Sequence, residues 1–348
     1  MGYIYLTDSE IDSAKPTVDM AADLNWALQL MLGPSRVYDG RRIDANETAI
    51  FARQLEYIFT QTYDVEYPEL QARSILPIVS GIPSGAELHT YSQFDSVGKA
   101  KFVDSHDTDF PTVEAKGLQF TGKIKSIGAA YQYTLQELRA AAMAGFQLDA
   151  TKARMARLAV ETLLDQVAAY GDAATGLLGL TNATNVPSTA KVGVAWNDPA
   201  ITPAIILRDV RAMFSKIWLG TKTTHRANTL LLDSANYDLL SNTDFAIVSG
   251  TTTLVGSGNL LSYIQANVPG LQRIIPWQRL DTAGAGGLAR IMALDLNPNV
   301  LGLVVPQEFE QSAPQNAGFS TKILCHMRTG GVVVRYPLAV TYMDGTRA

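Results

Sequence analysis

The chain has 348 residues, 47% of them hydrophobic and 18% charged, and its 28 basic and 33 acidic residues give a formal charge of -5. This balance argues against a protein that binds nucleic acid by neutralising phosphates, because such proteins need a basic face. A low charge beside a large apolar fraction favours a surface that partner proteins cover. The length favours two or more lobes, because single cores rarely grow beyond about 250–300 residues.

The first residues, MGYIYLTDSEIDSAK, lack the basic and apolar regions of a signal peptide, and no run of about 20 apolar residues follows anywhere. We therefore expect neither export by a standard signal nor a membrane span. The single cysteine, Cys325, lies in the apolar run TKILCHM. It excludes an intrachain disulfide and a cysteine-based zinc cluster, and its setting predicts a buried, unreactive thiol.

Two helical segments open the chain, TVDMAADLNWALQLMLGP and NETAIFARQLEYIFTQ, and a polar, turn-rich stretch separates them. One face of the second segment is apolar. We expect an N-terminal helical arm over residues 1–75 that needs another surface to pack against. The residues that form this face are Phe51, Leu55, Ile58 and Phe59.

From about Gly85 to Tyr133 the hydrophobic period changes to two, most clearly in LQFTGKIK, where Leu118 and Phe120 share one face. The upstream run KAKFV offers a second strand, and the pair predicts a long antiparallel hairpin with SHDTDFPTVEAKG at its far end. The apolar parity changes downstream, so a bulge or bend is expected at Gly128.

The longest helical pattern is LDATKARMARLAVETLLDQVAAYGD. We expect Asp149 to cap this helix and Gly171 to end it. The spacing favours one buried face, which is formed by Met155, Leu158, Ala159, Thr162, Leu163, Val167 and Tyr170. On that basis Leu163→Asp should abolish folding, because it buries an unpaired charge.

Helices and strands alternate between about residues 200 and 300, which is typical of a compact α/β lobe. The glycine-rich segment DTAGAGGLA precedes a strand-like run, so it favours a hairpin loop over a dinucleotide fingerprint. The segment VGSGN is predicted to be a turn. After residue 300 the chain returns to strands, which we expect to join at the Gly330-Gly331 turn.

An acidic cluster with one histidine offers the sharpest catalytic hypothesis: Asp104, His106, Asp107 and Asp109 in FVDSHDTDFP. Carboxylate oxygen and imidazole nitrogen are common metal ligands. On a strand, however, the first two side chains point to one face and the last two to the other. A solvated hairpin tip is the favoured interpretation. The sequence therefore assigns no catalytic, cofactor-binding or metal-binding residue.

The order of these parts resembles the major capsid proteins of tailed bacteriophages with the Hong Kong 97-type fold, in a branch often labelled only as a family of unknown function. Local runs support this resemblance, among them FARQLEYIFTQTYDVEYPELQARSILPI, VGKAKFV, GLLGLTN and GGVVVRYPLAVTYMDG. The resemblance implies an α+β fold in five parts. These are an N-terminal arm (1–75), an extended hairpin loop with its flanking peripheral strands (76–133), a peripheral domain with the spine helix (134–198), an α/β axial domain (199–300) and returning peripheral strands (301–348).

The resemblance implies a structural protein and not an enzyme, one that self-assembles as hexamers and pentamers into an icosahedral shell around the phage genome. It places the protein in the virion, after assembly in the host cytoplasm, with scaffolding, portal and decoration proteins as further partners and no sequence-specific DNA binding. An encapsulin-like compartment shell is the alternative, and a metal-dependent enzyme ranks below it. The candidate contacts between subunits are Phe51, Leu55, Ile58, Phe59, Phe102, Phe110, Leu118 and Phe120.

Overall fold

The computed structural model describes residues 67–102, 112–145, 147–249 and 252–347. Within the first half of these ranges lie helix α1 (Ala72–Ile75), strands β1 (Ile78–Val79), β2 (Leu88–Val97), β3 (Glu114–Lys123) and β4 (Lys125–Thr134), and helices α2 (Leu135–Met143) and α3 (Leu148–Tyr170). Residues 1–66 of the predicted N-terminal arm, which was expected over residues 1–75, lie outside the described residues.

The α/β lobe follows with helix α4 (Pro203–Gly220), strand β5 (Thr229–Leu232), helix α5 (Ser234–Asn242), strands β6 (Asp244–Ser249) and β7 (Thr252–Asn259), helix α6 (Leu260–Asn267), and strands β8 (Arg273–Pro276) and β9 (Arg290–Leu294). The last elements are strands β10 (Leu301–Val304), β11 (Gln307–Gln311), β12 (Gln315–Ala317), β13 (Ser320–Thr329), β14 (Gly331–Val334) and β15 (Val340–Asp344). Short 3-10 turns lie at Gln278–Leu280, Ala285–Gly287 and Pro337–Ala339.

Helix α3 ends at Gly171 as predicted, where φ is +67°. Its start differs from the prediction, because the N-cap is Gln147 and Asp149 lies inside the first turn. There the Asp149 carboxylate favours the helix through the positive end of the helix dipole.

The predicted buried face of α3 is wrong in part, although Val167 is buried and Tyr170 packs against the core as expected. Met155 is 62% and Leu163 43% exposed, whereas Val160 and Leu164 are buried. The face that packs on the core also includes Ala156, Ala168 and Ala169. Small side chains let the helix approach its neighbours closely, so the larger apolar residues beside them were a misleading guide to the buried face.

Strand β4 pairs with β13 along ten antiparallel residues, from Lys125↔Thr329 to Thr134↔Ser320. Strands β11 and β12 pair with the other side of β13. The change of parity was predicted at Gly128, but the break between β3 and β4 lies at Ile124. The Ile124 N–H donates to the Glu87 carbonyl at 2.8 Å, and the side chain is buried. The chain thus turns from the hairpin into the body at one anchored residue.

A four-stranded sheet in the order β15-β9-β5-β8 lies between two hydrophobic cores. Leu231 packs into one core, while its neighbours Leu230 and Leu232 pack into the other. Burial on both faces explains why TLLL and RIMAL are continuous apolar runs without alternation. Helices α4 and α6 cover one face of this sheet, which confirms an α/β arrangement for this part of the chain.

Two predicted connections are wrong, and a third joins two strands where predicted but does not form a hairpin. Strands β8 and β9 flank β5 on opposite sides, so DTAGAGGLA is a crossover and not a hairpin loop. The run VGSGN lies in strand β7. Strand β13 pairs with β4 while β14 pairs with β10, so Gly330-Gly331 joins two different sheets. Gly331 has φ +71°, and a Cβ there would lie 2.6 Å from the Leu178 carbonyl oxygen, so the crossing requires glycine.

The domain boundaries remain predictions. One strand pairing bears on them: β15, in the segment assigned to returning peripheral strands, pairs with β9 of the α/β segment. A boundary at residue 300 does not anticipate this return. Within the described ranges, no helix is both long and apolar enough to cross a membrane.

Candidate intersubunit surface

Strands β2 and β3 form an antiparallel hairpin of ten pairs, from Leu88↔Lys123 at its base to Val97↔Glu114. The predicted long hairpin is therefore confirmed, with a reach of about 34 Å at about 3.4 Å per residue. Its first strand is LHTYSQFDSV and not KAKFV, because residues 98–102 belong to no strand.

Large apolar side chains lie exposed along this hairpin. Phe94 is 79% exposed, Leu118 64%, and Phe102, beyond the end of β2, is fully exposed. Along β3 every residue but Gly122 is exposed. Apolar patches of this kind mark surfaces that a partner covers, because water contact with apolar carbon is unfavourable. The hairpin is the candidate contact surface between subunits.

Local contacts hold the two strands together. The Thr90 and Thr121 hydroxyls lie 3.0 Å apart in a cross-strand hydrogen bond. The Tyr91 and Phe120 rings stack with centroids 5.3 Å apart. Phe94 lies against Gly117, where a Cβ would be 3.1 Å from the ring. Such cross-strand pairs stabilise a hairpin before any neighbour binds.

The inner half of the hairpin and the segment before it are tied to the body of the protein. Halfway along β2, the Gln93 side-chain amide donates to the Arg335 carbonyl at 2.7 Å, and the Arg328 guanidinium donates to the Ser84 carbonyl before the hairpin begins. With the Ile124 anchor, these bonds fix the direction in which the hairpin leaves the body.

The segment before the hairpin is fixed to helix α3 by charges. The buried Asp165 carboxylate accepts from the Ala72 N–H at 2.9 Å and from Arg279 Nε at 2.7 Å. Arg73 pairs with Glu161 and with Glu308, each at 2.8 Å. Burial alone would lower the pKa of Arg73, but both carboxylates raise it above its ordinary value. These ion pairs position the chain that leads into β2.

The structure places only some of the predicted contact residues. Leu118 and Phe120 share one face of β3, as predicted, and Phe120 also stacks on Tyr91 of its own chain. The remaining candidates lie outside the described residues; they are Phe51, Leu55, Ile58, Phe59 and Phe110. The acidic cluster of Asp104, His106, Asp107 and Asp109 also lies outside them. Whether these side chains contact a neighbouring subunit stays a prediction.

Sequence reasoning missed Phe94. Tyr91 and Phe94 fall on opposite faces of β2, so the apolar residues of this strand do not alternate strictly. The signal that identifies it is its partner, because a glycine at position 117 leaves room for a large ring opposite.

Chemical groups elsewhere in the described part of the chain have structural roles. No group of three or more His, Cys, Asp or Glu side chains able to hold a metal ion occurs among the described residues. Cys325 is buried as predicted, and its burial raises the pKa of its thiol, which keeps it protonated and unreactive.

Comparison with known proteins gives a consistent result. A family model described as major capsid protein matches residues 98–346, well over half of the chain. The capsid of Myoviridae phage XM1 is similar, with a TM-score of 0.71 and 15% identity over 85% of this chain and 98% of that chain. The capsid of an empty GTA particle is similar with a TM-score of 0.60 and 12% identity, over 86% of this chain and 99% of that chain. A structure from Mycobacterium phage Bobi has a TM-score of 0.54 and 15% identity, over 83% of this chain and 94% of that chain.

No curated protein matches the sequence significantly. At these identities the solved structures establish the fold, and the predicted α+β fold of the Hong Kong 97 type is confirmed. The family match adds the class of protein. The chain therefore belongs to the major capsid protein family and is a structural protein that forms a shell.

Proposed function

We propose that this protein assembles as hexamers and pentamers into a closed icosahedral shell, and that its β2–β3 hairpin is the principal contact between subunits. The observation that supports the proposal is the set of exposed apolar side chains on both faces of a hairpin whose inner half is tied to the body. Strand β2 continues about 14 Å beyond the Gln93 contact at about 3.4 Å per residue, so the outer end of the hairpin is free to reach a neighbouring subunit.

The energetics favour many modest contacts over one strong interface. Burial of apolar surface contributes about 25 cal/mol per Å², so covering Phe94, Phe102 and Leu118 contributes a few kcal/mol per hairpin before the entropic cost of association. Repetition under closed symmetry then stabilises the whole shell. We propose the same role for the arm residues Phe51, Leu55, Ile58 and Phe59.

As a capsid protein the chain is a component of the virion. We further propose that the shell encloses DNA without sequence-specific binding and forms in the host cytoplasm, with scaffolding, portal and decoration proteins as partners. The formal charge of -5 supports weak contact with the enclosed DNA, because excess acidic groups repel phosphate.

The test uses the double variant Leu118→Ser with Phe102→Ser and the matched control Gln119→Ser. Both sets change exposed side chains of the hairpin region, and Gln119, the polar neighbour of Leu118 in β3, controls for a change of this strand that removes no apolar surface. We expect the double variant to fold with an unchanged melting temperature but to yield few closed particles by electron microscopy. The control should assemble as the wild-type chain does.

Normal shells from the double variant would remove the hairpin from its proposed role. The contents of wild-type particles distinguish the two kinds of shell. Enclosed DNA would support the capsid role, whereas an enclosed protein cargo would support an encapsulin-like compartment. The comparisons do not support that compartment better than a capsid. Calorimetric titration with zinc, calcium and manganese tests the metal-dependent enzyme hypothesis.

A further inference from the structure

His89 lies at the base of the hairpin, between two glycines. Its cross-strand partner in β3 is Gly122, where a Cβ would lie 2.2 Å from His89 Cε1. On the side of the body, a Cβ at Gly330 would lie 3.2 Å from His89 Nδ1. The imidazole therefore occupies space that any other residue at position 122 would fill, and it contacts both the hairpin and the body.

The ring is half-buried, and its buried nitrogen lacks a hydrogen-bond partner among the described residues. The ring lines a cavity of about 260 Å³ between the hairpin base and the body, together with Tyr91, Phe120, Leu178 and Val332. Its Nδ1 atom is buried and has no hydrogen-bond partner among the described residues. A neutral ring fits this site, because a charged ring would lose its hydration without gaining a counter-charge.

The charged groups near the ring are both positive. Lys123 of β3 lines the same cavity, and Arg335 follows β14 on the side of the body. Tyr91 is the titratable group that faces the cavity from β2, and the segments around Leu178 and Val332 contribute none. Among the described residues that line the cavity, none has a carboxylate. Burial first, and then the Arg335 charge, lower the pKa of His89 below its ordinary value.

We propose that His89 is the positioning residue that fixes the hairpin against the body while its ring is neutral, and that protonation of the ring releases the hairpin. This proposal rests on the hairpin's proposed role as the contact between subunits, and it adds a control on that contact. The partner of the released hairpin is the surface of a neighbouring copy of the chain.

The direction of the pH dependence follows from linkage. The docked hairpin favours neutral His89, and the released hairpin restores the ordinary pKa of about 6.5. Docking is therefore complete above about pH 6.5 and weakens as the pH falls below that value, because the released state then binds the extra proton.

The experiment is hydrogen exchange of the full, unassembled chain at about pH 7.5 and about pH 5.5, on either side of the ordinary histidine pKa, with labelling times scaled for the intrinsic pH dependence of exchange. Peptides from β2 and β3 report the hairpin, and peptides from the β4–β13 ladder serve as an internal reference. The variants are His89→Phe, which keeps a ring without a titratable nitrogen, and His225→Gln, which removes a histidine that lies outside both the hairpin and the β4–β13 ladder.

We expect protection of β2 and β3 to fall at the lower pH in the wild-type chain and in His225→Gln. Protection should stay constant in His89→Phe, with the β4–β13 reference unchanged in all three. Equal pH dependence in wild type and His89→Phe, or none in wild type, would overturn the proposal.

A further variant keeps the test decisive if the phenylalanine misfits. Gly122→Ala places its Cβ at the position of the imidazole, so the His89 side chain must turn away from its place against the body. The pH dependence of β2 and β3 protection should then be lost while the β4–β13 reference stays protected, and a pH dependence equal to that of the wild type would also count against the proposal. These readouts do not depend on particles, so their failure leaves shell formation standing, whereas a chain that never forms shells defeats only the proposed function.

Discussion

Leu164 and Leu163 are adjacent leucines of helix α3 with opposite environments, and they give a paired test of the core. Leu164 is 1% exposed and packs in the core with Val160 and Ala168, whereas Leu163 is 43% exposed. Leu164→Ala removes buried methyl groups and leaves a cavity, so it should cost about 2–5 kcal/mol of unfolding free energy. Leu163→Ala leaves no enclosed cavity and should cost about 1 kcal/mol or less.

Urea unfolding of the unassembled chain measures both values, and equal m-values would show that the midpoints report stability. The same contrast corrects the sequence-based expectation for Leu163→Asp. Its charge stays near solvent in the folded chain, so this variant should fold, whereas Leu164→Asp should not. A loss at Leu163 as large as that at Leu164 would refute the assignment of the buried face of α3.

Three further predictions address other parts of the fold. Asp209→Ala removes a fully buried acceptor that binds the Trp196 indole N–H and the Val192 N–H, each at 3.0 Å, so it should cost about 3 kcal/mol or more in urea unfolding; a loss below about 1 kcal/mol would contradict the network. Burial alone would raise the pKa of the Asp344 carboxyl. The hydrogen bonds from Arg290 and the Ala285 N–H, together with the Arg290 charge, outweigh burial and hold this pKa below its ordinary value. The wild-type melting temperature should therefore fall as the pH drops below about 4, and Arg290→Met should reduce this fall; the same acid dependence in both would disprove it. Gly331→Ala should lower the melting temperature more than Gly286→Ala. Both glycines have a positive φ, but only a Cβ at position 331 would meet the backbone, at the Leu178 carbonyl oxygen, whereas a Cβ at position 286 would meet nothing within 4 Å. Equal effects would show that the contact with Leu178 is unimportant.

The elements that the sequence predicted best are those with local signals. Pro203 stands at the first turn of α4, and Gly171 ends α3 in a backbone conformation that favours glycine. The second strand of the hairpin, β3, follows from a local period of two, whereas the first strand was predicted at the wrong residues. Each of these signals acts within a few residues, so a single sequence contains it.

The features that the sequence did not predict depend on distant partners. Strand β4 pairs with β13 almost 200 residues later, and no pattern within either strand identifies its pairing partner. The buried face of α3 is set by what packs against it, so small residues such as Ala156 and Ala168 displaced Leu163. The crossing at Gly330-Gly331 resembles a hairpin turn locally and becomes a passage between sheets only through pairing with β10.

The candidate contact surface was predicted in part for the same reason. Alternation in β3 identified the face that holds Leu118 and Phe120, whereas Phe94 interrupts the alternation of β2 and was missed. His89 gave no sequence signal at all. Its significance comes from Gly122 and Gly330, which lie 33 and 241 positions away along the chain and meet only in the folded protein.

The most direct test of the central claim is an electron cryomicroscopy reconstruction of particles purified from cells that express this chain. We predict closed icosahedral shells of hexamers and pentamers in which the β2–β3 hairpin of each subunit lies on a neighbour, with Leu118 and Phe102 buried at the contact. Shells in which the hairpin stays in solvent, or a chain that remains a stable monomer even with its scaffolding partner, would contradict the account.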